Sequence, residues 1–187
     1  MRKFILTLLV VFLGVSPSLS ATTQEVEELF IEGKSICSDF KERCEFKTIE
    51  LNTPLAYTQY RKITIASGIY KLLTKDEVRA ILYHELGHAL DKHSEQGLAY
   101  YNNFYLNNGR YPNAEEMKAF RYEYENKADA IAMYMLLAYK KPFTLGRALI
   151  KLDEIYDNGE SSNTHPSNQS RINNIKMLEN NFRKGIY

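Results

Sequence analysis

Apolar residues bunch together at the start of the chain and then space out. From Phe4 to Val15 they run almost unbroken behind Arg2 and Lys3, and Ser16, Pro17, Ser18 and Ser20 follow. A basic start, a short apolar stretch and small residues are the marks of an export signal, and the stretch falls short of the roughly 20 apolar residues that span a bilayer. Cleavage is expected before Ala21, which makes residues 1–20 a signal peptide and 21–187 one domain with no stable membrane insertion.

Beyond that point the spacing changes from element to element. Val26, Leu29 and Phe30 recur at helical intervals between Gln24 and Glu32, which predicts a short lead helix ending at Gly33. Phe46–Leu51 and Arg61–Ser67 are strand-like, the second alternating Ile63 and Ile65 with Lys62, Thr64 and Ala66, and Asn52-Thr53-Pro54 marks a turn between them. Thr74-Lys75-Asp76-Glu77 has the form in which two side chains satisfy the free amides at a helix start. The helix it opens is expected to reach about His93, and its apolar residues on several faces predict a central, buried position. Tyr100–Pro112, rich in Tyr, Asn and Gly, reads as an irregular excursion and a candidate flap. Helices are expected over Ala114–Tyr139 and Leu145–Tyr156, with a last one opening at Pro166 after the polar loop Asp157–His165. The pattern predicts an α+β domain, mostly helical, with a small sheet packed on the central helix.

Charge changes little in this picture: 24 basic and 23 acidic residues leave a formal +1, no field for gathering nucleic acid or anionic lipid. Cys37 and Cys44 are the only cysteines. In an exported chain they suit a disulfide across a short loop, and their spacing is wider than that of a redox or zinc Cys-x-x-Cys pair. The 14 tyrosines, several of them between Tyr100 and Tyr111, read first as surface or lid packing and only second as recognition of aromatic substrates.

The candidate chemistry lies in His84-Glu85-Leu86-Gly87-His88. Residues four apart share a helical face, so both imidazoles can address one ion, while Glu85 projects beside that line, placed for water at the ion rather than for the ion itself. An unpaired His or Glu in so apolar a helix would cost several kcal/mol to bury, roughly, which argues against incidental polar residues. A catalytic zinc site needs a third protein ligand. His93 falls five residues beyond His88, rotated off the ligand face, and reads as closing the helix at the negative end of its dipole; His165 lies in a loop. On the later helix Glu125 and Asp129 stand one turn apart, so that Glu125 can bind metal while Asp129 accepts a hydrogen bond from a ligand histidine.

With these residues in place the sequence resembles the gluzincin metallopeptidases of the HtpX and CAAX prenyl protease type, including their small soluble periplasmic members. The likeness runs from about Asn52 to Met177. It rests on His84–His88 with His93 following, on Glu125-x-x-x-Asp129, on Thr164-His165-Pro166 with Arg171 after it, and on the strand and Gly68 ahead of the central helix. The resemblance implies a zincin-like fold holding one Zn2+ per chain on His84, His88 and Glu125, with Glu85 as general acid/base and Asp129 orienting a ligand histidine. It implies that His165 stands near the open metal position, as an oxyanion stabiliser or as a fourth ligand that latches the site, and that Arg171 pairs with a carboxylate. It also implies peptide hydrolysis, most simply of unfolded or misfolded exported proteins, in a bacterial periplasm. The many transmembrane helices of the integral-membrane members and a long C-terminal repeat extension have no counterpart in the sequence, so membrane substrates and repeat-based docking are not expected.

The strand at Ile63–Ser67 is expected to offer an edge on which an extended substrate pairs by backbone bonds. Two other readings stay open: a non-catalytic, zinc-stapled binding or chaperone-like module with His165 as permanent fourth ligand, and a zinc hydrolase of cell-wall or other non-protein amides. Neither the natural substrate nor the oligomeric state is written in the sequence.

Overall fold

The computed structural model describes residues 20–156 and 168–186. In chain order they form α1 (Thr23–Asp39), β1 (Glu45–Ile49), β2 (Ala56–Gln59), β3 (Lys62–Ala66), α2 (Ser67–Leu72), α3 (Lys75–Leu90), α4 (His93–Asn108), α5 (Ala114–Ala138), α6 (Leu145–Tyr156) and α7 (Asn168–Arg183). This is the α+β arrangement expected, mostly helical with a single small sheet among the described residues. The segment expected to be a signal peptide lies outside them, apart from Ser20, as do His165 and Pro166.

Helix α1 does not break at Gly33. It begins at the N-cap Thr22 with a reciprocal Thr22–Glu25 capping box and continues to Asp39. A Cβ on Gly33 would stand 2.8 Å from the Phe46 ring, so this glycine makes room for a strand side chain instead of ending a helix. Cys37, in the last turns of α1, is bridged to Cys44 just before β1, with Cα atoms 6.1 Å apart. The bridge ties the end of the helix to the start of the sheet.

The sheet has the order β1-β3-β2, with β1 parallel and β2 antiparallel to β3. Strand β3 is therefore central and cannot serve as the substrate-pairing edge expected of Ile63–Ser67. Ile63, Thr64, Ile65 and Ala66 are all buried, so both faces of β3 are covered, α2 and α3 being the helices packed against the strand. The edges are β1 and β2, and the one packed along α3 is β2, a four-residue strand whose short, half-polar run, Ala-Tyr-Thr-Gln, gave no clear period in the sequence. Tyr60 turns the β2–β3 hairpin with φ of 54°, and its amide donates to Ser94 Oγ at 2.9 Å, fastening the hairpin to α4.

After β3 the chain enters α2 without a loop. Gly68 is required there: an added Cβ would lie 2.2 Å from the Asn52 carbonyl oxygen, and the Gly68 amide donates to Leu51 O at 2.8 Å. Ser67 Oγ bonds both the amide and the carbonyl of Leu51. These contacts pin the 50–54 turn against the start of α2.

Helix α3 starts at the expected capping box, Thr74 with Glu77, and is buried nearly all round by Val78, Ala80, Ile81, Leu82, Tyr83, Leu86 and Ala89. Lys151 from α6 neutralises the buried Glu77 at 2.7 Å. The helix ends at Leu90, earlier than expected; Asp91 is its C-cap and Lys92, with φ of 58°, reverses the chain into α4. That second helix occupies most of the stretch read as an irregular flap. Its Tyr and Asn content is poor helix-forming material, but ring stacking supplies the missing order: Tyr100 on Phe120, and Tyr101 and Tyr105 on Tyr111. No helix among the described residues is long and apolar enough to cross a membrane.

Candidate metal centre

Helices α3 and α5 touch most closely where α3 has no side chain. A Cβ on Gly87 would stand 3.0 Å from both Cα and O of Ala128, so glycine on one helix and alanine on the other let the two backbones meet. Glu125 and Asp129 flank Ala128 on α5, and His84 and His88 flank Gly87 on α3. The close approach faces the two pairs toward one another.

His84 Nε2 and His88 Nε2 lie 3.1 Å apart. Glu125 Oε2 is 3.4 Å from the first and Glu125 Oε1 is 3.4 Å from the second. Four ligand atoms around zinc at about 2.0–2.1 Å are separated by roughly 3.3–3.4 Å along each tetrahedral edge, so the two imidazoles and the carboxylate stand at the spacing such an ion needs. Of all the described His, Cys, Asp and Glu residues, these three alone form a cluster able to hold a metal ion.

The remaining ring nitrogens explain why these donors point inward. His84 Nδ1 is 2.8 Å from Asp129 Oδ1, and Arg171 of α7 grips the same carboxylate twice, from Nε at 2.9 Å and from Nη2 at 2.7 Å. Burial works against the Asp129 carboxylate, but Arg171 and His84 outweigh it and hold the group down at about 2. Anionic Asp129 accepts the proton on Nδ1 of His84 and leaves the Nε2 lone pair facing the centre. Burial and Arg171 both press the His84 imidazole toward neutrality, yet Asp129 and Glu125 prevail and raise it to about 10. A cation of some kind, proton or metal, belongs between those nitrogens.

His88 is held differently. Its Nδ1 lies 2.6 Å from Nδ1 of His93, whose Nε2 is 2.8 Å from Asp91 Oδ2. The His93 ring stacks on Tyr124 at 4.3 Å with 14° between planes. Burial, reinforced by His88, pushes the His93 imidazole down to about 4, so it stays neutral. This corrects the expectation that His93 merely closes the helix: α3 has already ended, and the left-handed Lys92 swings the ring back onto His88. Helical projection from His88 could not foresee that reversal.

Glu85 occupies the wall beside the metal donors. Thr58 Oγ1 of β2 lies 2.8 Å from Glu85 Oε2 and 2.9 Å from the Glu85 carbonyl oxygen. A cleft of about 450 Å3 opens over Glu85, His88 and Glu125, between β2 on one side and α4 with α5 on the other. Met117, Phe120 and Tyr124 furnish its apolar floor. Nothing in the sequence pointed to Thr58, because the contact depends on β2 lying at the sheet edge over α3. Of the residues singled out from sequence, His84, Glu85, His88, Glu125, Asp129 and Arg171 stand together here; His165 lies outside the described residues.

Two imidazoles and a carboxylate gathered beside an open cleft, with a second carboxylate in its wall, are donors suited to a metal-dependent hydrolase. Residues 21–109 match the model of Peptidase family M48, and the match supports a metallopeptidase of that family. The matched stretch carries His84, Glu85 and His88; Glu125 and Asp129 lie beyond it and join the site through the α3–α5 contact, and Arg171 joins through the packing of α7 on α5. No curated protein matches the chain.

Proposed function

We propose that the chain is a zinc-dependent endopeptidase in which His84, His88 and Glu125 hold the ion and Glu85 is the general base. The observation that carries this reading is the set of 3.1–3.4 Å spacings among the two Nε2 atoms and the two oxygens of the Glu125 carboxylate, beside an open cleft. Nitrogen and carboxylate donors with an open side suit catalytic zinc better than calcium or magnesium, which take oxygen ligands. When bound, such an ion polarises a carbonyl and makes water acidic enough to attack near neutral pH.

The chain's own residues supply the rest. Glu85, steadied by Thr58, takes a proton from the attacking water and returns it to the departing amine. Asp129 and Arg171 keep His84 aimed at the ion and supply a fixed field beneath it. Strand β2 ends the sheet beside Glu85, so an extended peptide can add to it by backbone bonds, with little dependence on sequence. That mode suits unfolded or loosely structured proteins. His165, by the resemblance of its motif, belongs to the same reading as an oxyanion stabiliser or a latch.

Export agrees with the Cys37–Cys44 bridge, which persists in oxidising compartments. Cleavage before Ala21 also leaves a sound start to the domain, since the Ala21 nitrogen already donates to Leu73 O at 2.8 Å. A bacterial periplasm is the compartment the resemblance favours.

A zinc staple without catalysis is the competing reading, and Glu85 argues against it, because a staple has no use for a carboxylate held beside the ion over a cleft. The deciding experiment is Glu85→Gln. Zinc content should stay at one ion per chain while chelator-sensitive cleavage of an unfolded protein falls by about 10³-fold or more, a loss typical of removing the group that moves the proton. Undiminished cleavage would remove Glu85 from the reaction, and wild-type activity confined to cell-wall amides would transfer the reading to a different hydrolase.

A further inference from the structure

An imidazole that binds metal through Nε2 must keep its one proton on Nδ1, and whatever accepts that proton sets the tautomer and the angle of the ring. For His84 the acceptor is a carboxylate. For His88 it is another imidazole, 2.6 Å away, and the carboxylate comes one step later at Asp91. Only one arrangement of protons satisfies the whole chain of contacts: Nε2–H of His93 donates to Asp91, Nδ1 of His93 is left bare, and Nδ1–H of His88 donates to it.

The surroundings fix each member of the chain. His93 is 6% exposed, lies flat on Tyr124 and meets the His88 ring nearly edge-on, with 73° between their planes. It sits at the first position of α4, just after the left-handed Lys92, so a sharp reversal of the backbone is spent on placing this ring. Ser94, the next residue, is anchored to the β2–β3 hairpin by the Tyr60 amide, which leaves the reversal little freedom to drift.

The geometry points to His93 as a positioning residue for the metal centre, one that, backed by Asp91, holds the proton of His88 on Nδ1 and turns its Nε2 toward Glu125 and His84. His93 lies on the wall of the same cleft and acts on the metal donors through His88. The inference rests on the metal-site reading of the previous subsection and assigns that site a second anchor unlike the Asp129–Arg171 pair.

The test compares two amides at one position. In His93→Asn the side-chain oxygen can stand where Nδ1 stood and still accept from His88; in His93→Gln the amide reaches instead to the place of Nε2 and His88 loses its acceptor. Zinc affinity, measured by competition with a chromogenic chelator, should fall about 10- to 100-fold in His93→Gln, the usual effect of losing such a partner, and by no more than about threefold in His93→Asn. Asp91→Ala should fall between the two. Cobalt-loaded protein should show a ligand-field spectrum shifted in His93→Gln and nearly native in His93→Asn, a signature that loss of packing alone does not produce. Equal affinities for Asn and Gln, whether both native or both weak, overturn the assignment to His93. A wild-type chain that takes up no zinc overturns the reading of the centre and this inference with it, whereas normal uptake with unaltered His93→Gln removes the inference alone.

Discussion

On the His84 side of the centre, Asp129 and Arg171 form a charged pair sealed between α3, α5 and α7, the carboxylate 1% and the arginine 6% exposed. On the His88 side the corresponding partners are a neutral imidazole and Asp91, whose side chain is 39% exposed at the rim of α3. The sealed side keeps two opposite charges in the core, tolerable because each fills the other's hydrogen-bonding positions. The open side passes orientation through an uncharged ring and leaves its carboxylate to water. A centre built this way has one flank that must be complete for the fold to stand and one that shapes the cleft without bearing on the core.

The comparison breaks most directly at its buried charge. Asp129→Ala strands Arg171 and should destabilise the chain by about 3–5 kcal/mol, the range for removing one member of a buried pair. Asp91→Ala on the open flank should cost less than about 1 kcal/mol, as for exposed charges. Denaturant unfolding measures both, and similar losses would erase the distinction between the flanks. A smaller effect is expected at Thr58, which acts on the cleft alone. Thr58→Val should lower kcat by about tenfold, roughly 1.4 kcal/mol of barrier, with zinc content and stability close to native and activity restored in Thr58→Ser. A drop in zinc content would show that Thr58 serves the fold of the centre instead.

The smallest signal is a proton. With its value raised to about 10 from 6.5, His84 holds a proton that an incoming metal ion must displace. A raised folded value contributes stability that is fully present below about 6.5 and lost as pH climbs toward 10. The chelator-treated chain should therefore lose stability through that window, and zinc affinity should rise across it and level off above. His93, lowered to about 4, stays neutral throughout and adds no step there. Calorimetric titrations with zinc in buffers of different ionisation heat should report close to one proton released per ion on the acid side of the window. A zinc affinity independent of pH would mean that His84 carries no second proton, on Nε2, for the ion to displace.

Much of this arrangement was legible before any coordinates. The capping box at Thr74 announced α3, and the four-residue spacings in α3 and α5 announced which side chains share a face, because helical periodicity is local and survives any packing. Gly87 between the two histidines even carried the reason that the helices meet, although only the contact with Ala128 reveals it. What escaped the sequence was non-local or depended on a reversal. Gly33 looked like a break and proved to be space for Phe46; α4 was hidden in tyrosines and asparagines that are ordered by stacking; β2 was too short to show a period; and His93 was turned toward His88 by Lys92. The edge strand went to β2 rather than β3 because strand order follows the hairpin and the crossover, not the strength of the apolar pattern.

The central claim is tested most directly by metal stoichiometry in Glu125→Ala. That carboxylate comes from a different helix than the two histidines, so its contribution depends entirely on the meeting of α3 and α5. After stripping and reloading, the wild-type chain should carry about one zinc ion and the variant, still folded by circular dichroism, should retain almost none at the same free zinc. Full occupancy in the folded variant, with unchanged affinity, would contradict the account.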